Sequence, residues 1–80
     1  DYNDRNTVVA HLSMDHNERA LELLAAMPKD AVTEYLRAIA CSRLGCKEEG
    51  REHFLEACRL DGRMEYRGNL DPEIAELLKQ

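Results

Sequence analysis

Eighty residues with a net charge of −5 make one small domain or a piece of a larger protein. The eleven Lys and Arg are scattered along the chain, which argues against a phosphate-tracking surface and so against nucleic acid as a partner. No apolar run approaches the ~18–20 residues that span a bilayer, which argues against membrane insertion, and no basic-then-apolar leader opens the chain. Its first residue, Asp1, reads as the edge of a processed or excised segment.

Residues 1–5 show no hydrophobic period and read as a frayed arm, leaving 6–80 as a single domain. Val8, Val9 and Leu12 mark a short helix over 6–14. Asp15, with Glu18 three residues on, predicts the capped start of a second helix. Its buried stripe is Ala20, Leu21, Leu24 and Met27, and Pro28 stops it because proline cannot donate to the helix ladder.

Asp30 predicts the cap of a third helix, over 30–44, with Val32, Tyr35, Leu36, Ile39, Ala40 and Leu44 on one apolar face. Gly45 stands where a left-handed C-terminal close is expected. A fourth helix follows from about Lys47 to Leu60, with Phe54, Ala57 and Cys58 inward, and Gly62 closes it. The segment 63–67 is ambiguous and reads as at most one helical turn ending at Gly68. Asp71-Pro72 is a strong start signal, a capping aspartate before proline at the first helical position. Ile74, Leu77 and Leu78 then form the apolar side of a last helix, placed over the fourth near Ala57 and Leu60. No stretch alternates as a strand would.

Isolated helices this short are marginal, so each needs a partner to cover its stripe. Pairing across a tight turn covers part, and stacking the next pair covers the rest. Mid-helix Gly50 costs about 1 kcal/mol against alanine, a cost that close approach to Ala38 on the preceding helix would offset. A weaker copy of the same pattern lies upstream, where Ala20, Leu24 and Met27 match Gly50, Phe54 and Ala57.

Ala38, the Leu44-Gly45 dipeptide, Gly50, Phe54, Ala57 and the Leu60-Asp61 ending resemble a tetratricopeptide repeat over about residues 31–62, and residues 6–28 resemble it less closely. The bulky residue near the start of the first helix is displaced to Tyr35, Gly62 stands where the family has proline, and the spacing is thirty rather than the family's ~34. The run through DAVTEYLRAIACSRLG to LDPEIAELL is also similar to the C-terminal end of certain bacterial cell-envelope proteins. That resemblance implies an interaction module facing the periplasm, the cytoplasm being the alternative, closed by a capping helix.

The candidates for chemistry are few. His11, His16 and His53 with Cys41, Cys46 and Cys58 are the available soft ligands, but only Cys41 and Cys46 have zinc-like spacing. Cys46, before Lys47 and the fourth helix, is the most reactive thiol by position, and no Cys-His-acid arrangement accompanies it. An odd number of cysteines is not a disulfide framework. Glu48, Glu49, Glu52 and Glu56 read as a solvated helix face.

The sequence therefore predicts an all-α domain of two helical hairpins, 6–28 and 30–62, with a capping segment at 63–80. No cofactor, metal or catalytic residue is assigned. The expected role is non-catalytic binding of a protein, a peptide or neighbouring repeats, through Asn6, His11, Glu34, Arg37 and Arg43 on the first helix of each hairpin, 6–14 and 30–44. A structural terminal cap is the alternative, and a metal-binding or thiol-dependent enzyme module the second alternative.

Overall fold

A computed structural model describes residues 4–79, and among these every regular element is a helix and none is a strand. Six helices follow one another: α1 (Arg5–Ser13), α2 (Asn17–Ala25), α3 (Ala31–Arg43), α4 (Lys47–Leu60), α5 (Arg63–Asn69) and α6 (Pro72–Leu78). Residues 1–3 of the expected arm lie outside the described residues. Arg5 opens the first helix rather than ending the arm, because the Asp4 carboxylate caps it, accepting from the Thr7 amide at 2.9 Å, and starts α1 one residue early.

Each boundary follows from local chemistry. Asp30 and Thr33 form a reciprocal capping box at the head of α3, with bonds of 2.8 and 2.9 Å. Asp71 accepts from the Glu73 amide at 2.9 Å, with Pro72 first in the helix. At the end of α3, Gly45 is left-handed with φ 86°. Its amide bonds to Ser42 O, and the Cys46 amide reaches back to Cys41 O at 2.9 Å, the pair of bonds that defines a Schellman close.

The same close ends α1. Asp15 takes φ 62°, its amide bonds to Leu12 O, and the His16 amide bonds to His11 O at 2.8 Å. Asp15 is therefore not the cap of α2, as the sequence suggested. Its backbone supplies the left-handed turn, which aspartate tolerates better than most residues, and its carboxylate accepts from the Asn17 side chain. His16 stands at the cap position without a side-chain bond.

The core runs through Val8, Leu24, Tyr35, Ala38, Phe54 and Leu77. α3 is its axis. Thr33, Tyr35, Leu36, Ala38, Ile39, Ala40 and Cys41 are all buried, so this helix is covered on most sides rather than on the single face expected. Gly50 does approach Ala38: a Cβ there would lie 3.3 Å from the Ala38 carbonyl oxygen and 3.1 Å from Leu77 Cδ1.

Two expectations for the C-terminal part are corrected. Leu77 is fully buried against Gly50, about two turns before Ala57, while Leu60 and Leu78 stay exposed. Gly68 does not end a helix; it lies inside α5, where a Cβ would fall 2.5 Å from the Phe54 ring. Its lack of a side chain is what lets α5 lie flat on that ring. Gly62 likewise closes nothing, being the right-handed residue before α5.

Candidate binding groove

α1, α3 and the α5–α6 segment leave a groove of about 250 Å³ between them. Its floor is apolar, made by Leu12 of α1 with Leu36 and Ile39 of α3, and Val9 stands on its rim at 47% exposure. These side chains line one wall because α1 and α3 each repeat apolar residues at three- and four-residue intervals.

The far end is polar, and every group there is engaged. The Tyr35 hydroxyl donates to Asp71 Oδ2 at 2.7 Å, and the Arg67 guanidinium lies 4.4 Å over the Tyr35 ring. Burial, reinforced by that bond and the charge of Asp71, pushes the Tyr35 hydroxyl well above its ordinary pKa and keeps it a donor. Arg43 holds both carboxylate oxygens of Glu73 at 2.8 and 3.0 Å while also donating to Leu12 O at 2.7 Å. Ser13 Oγ donates to Val9 O. The groove is thus an apolar trough whose polar groups are engaged by the fold, Tyr35, Arg43 and Arg67 between elements and Ser13 within α1.

The five residues expected to bind a partner do not form one surface. Asn6 is exposed on α1. His11 is half-buried, with Nδ1 enclosed and unbonded and its ring 5.7 Å from that of His16. Only Arg43 reaches the groove, and there it is a clamp between α1, α3 and α6.

Glu34 is corrected from an exposed contact to an interior one, and Arg37 to a half-buried one. Glu34 is 3% exposed, with Oε1 at 3.1 Å from His53 Nδ1 and Oε2 at 3.3 Å from Arg37 Nη1. Arg37 in turn donates to Leu24 O at 2.7 Å. The geometry is shared by Arg37 and Arg43: each reaches from α3 to a carbonyl in the last turn of the preceding α2 or α1, adding a second bond to an oxygen that already accepts a backbone amide. Covering its carbonyl draws Arg37 partly inward, while Arg43 stays at the surface.

Tyr35, Arg67, Asp71 and Glu73 were not expected at the site. Asp71 was legible as a cap, but its bond to Tyr35 joins residues far apart in sequence, and no local spacing signals it.

Among the described residues, no cluster of three or more His, Cys, Asp or Glu is placed to hold a metal ion. No helix among them is long and apolar enough to cross a membrane. No protein-family model, curated protein or solved structure matches the chain.

Proposed function

We propose that this chain is a non-catalytic protein–protein interaction or assembly module of a larger bacterial protein, built from degenerate helical hairpins of the tetratricopeptide kind. The observation that carries the reading is the groove: α1 and α3 present apolar side chains to one trough, and its polar groups are committed to structure rather than poised for reaction. The two Schellman closes at Asp15 and Gly45 support a hairpin unit repeated at thirty residues. Placement in the periplasm or cell envelope rests on the sequence resemblance alone, with the cytoplasm as the alternative.

The purely structural reading, a terminal cap that binds nothing, calls for a polar outer end. Tyr66 of α5 and Leu70, the residue that caps it, are instead 74% and 87% exposed. That observation favours the interaction reading.

The test uses Val9, which lines the groove and contributes little to the core. Partners captured from an envelope extract by the native chain are expected to be lost with Val9→Asp at unchanged helical content. Equal capture by both proteins, or none by either, overturns the groove as the binding surface. Arg37→Glu, the obvious charge reversal from sequence, is unsuitable because Arg37 bonds to Leu24 O and buried Glu34.

A further inference from the structure

Cys41 and Cys46 occupy the two ends of the Schellman close between α3 and α4. The Cys46 amide bonds to the Cys41 carbonyl at 2.9 Å, the Gly45 amide to Ser42 O at 3.2 Å, and Gly45 holds the left-handed conformation that folds the chain back. Side chains at these two positions of the motif characteristically meet.

This chain shows that contact in its other copy of the turn. His11 and His16 occupy the same two positions, and their rings lie 5.7 Å apart, centroid to centroid. The backbones correspond closely: His16 has φ −89° and ψ 67°, Cys46 φ −91° and ψ 66°. The matching backbone therefore places Cys41 and Cys46 at the two positions that His11 and His16 hold in the first copy. In the first copy these are two imidazoles and in the second two thiols.

We propose that Cys41 and Cys46 are a reversible dithiol site, closed to an intramolecular disulfide by a small-molecule disulfide such as oxidised glutathione. Cys46 is partly exposed and Cys41 buried, so exchange begins at Cys46. Burial also pushes the Cys41 thiol up, which disfavours first attack from that sulfur.

The Cys46 thiolate attacks the oxidant's S–S bond, forming a mixed disulfide and expelling one glutathione thiolate. Cys41 then loses its proton to solvent and attacks the Cys46 sulfur, forming the protein S–S bond and expelling the second glutathione. The two cysteines give up two electrons and two protons, and the oxidant is reduced to two thiols. Cys58 takes no part, because twelve residues of α4 place it about 18 Å along the helix from Cys46. The ring spans only Ser42, Arg43, Leu44 and Gly45, so closure removes little chain entropy and stays readily reversible.

The experiment treats the reduced chain with oxidised glutathione, alkylates the remaining thiols, and digests with trypsin, which cuts after Arg43 between the two cysteines. The expected product is peptide 38–43 joined to peptide 44–47, lighter by two hydrogen atoms, with Cys58 alkylated. Cys41→Ala should stop at the glutathione adduct on Cys46, and dithiothreitol should restore both thiols. A lasting adduct on Cys46 in the native chain, a bond to Cys58, or three alkylated cysteines would each overturn the proposal. The result does not depend on the interaction reading, since it is read on the isolated chain.

Discussion

The glycines separate three physical situations that look alike in the sequence. At Gly68 an added methyl group would sit 2.5 Å from the Phe54 ring, so the ring or α5 must move. Gly68→Ala is expected to lower stability by about 1–3 kcal/mol in urea denaturation. At Gly50 the nearest atoms are Leu77 Cδ1, the far end of a side chain, at 3.1 Å and the Ala38 carbonyl oxygen at 3.3 Å, both less close than the Phe54 ring is to Gly68, and alanine recovers about 1 kcal/mol of helix propensity. Gly50→Ala is therefore expected to fall within about 1 kcal/mol of the native chain by the same assay. Gly45 has open space around it, and its constraint is conformational, set by φ 86°. A cost at Gly50 equal to that at Gly68 would show that the closeness of the contact does not govern the difference. Arg37 makes a related point about charge. It neutralises Glu34 and covers a helix end, so Arg37→Glu should cost on the order of 3 kcal/mol, measured as a lowered denaturation midpoint.

Among the elements, α6 owes its position to one aspartate with two duties. Asp71 Oδ1 starts the helix and Oδ2 accepts from Tyr35, while Ile74 and Leu77 are fully buried beneath. Asp71→Ala removes a cap and leaves a buried hydroxyl with a poorer acceptor, together about 2 kcal/mol by thermal or urea unfolding, whereas Asp71→Asn should recover most of that loss. The join between the loop before α3 and α4 is electrostatic. Arg59 and Lys29 both bond to Glu56 and hold its carboxyl down to about 2, against an ordinary 4.5. A depressed carboxyl stabilises the fold above its unfolded pKa, and that stabilisation is lost as pH falls from about 4.5 toward 2. Glu56→Gln should therefore flatten the stability profile in that window and leave its slope above pH 5 unchanged.

For the whole molecule, α3 is the axis on which the other elements are laid. Its amides should be the last to exchange with deuterium in native-state measurements, while those of α1, packed along one side, should exchange sooner. Slower exchange in α1 than in α3 would contradict that order. The all-helical class, the caps at Asp30 and Asp71, the left-handed Gly45 and the approach of Gly50 to Ala38 were all legible in the sequence, because each depends on residues within one turn or across one short connection. Asp15 was misread because aspartate serves both as a cap and as a left-handed turn residue, and the backbone bonds of the preceding helix selected the second. The groove was legible only in part. Periodicity marked Val9, Leu12, Leu36 and Ile39 as apolar, but the polar end joins Tyr35 to Asp71 and Arg43 to Glu73 across helices that have no sequence register with one another. For the same reason Glu34 and Arg37 looked like surface charges: a charged residue on a helix reads as solvated unless its partner is known. The sequence by itself determined where helices start and stop, since caps, glycines and prolines act locally. Only the tertiary structure decided which charges are interior, which glycine is indispensable to packing and which faces form the trough, because burial depends on what the rest of the chain brings alongside.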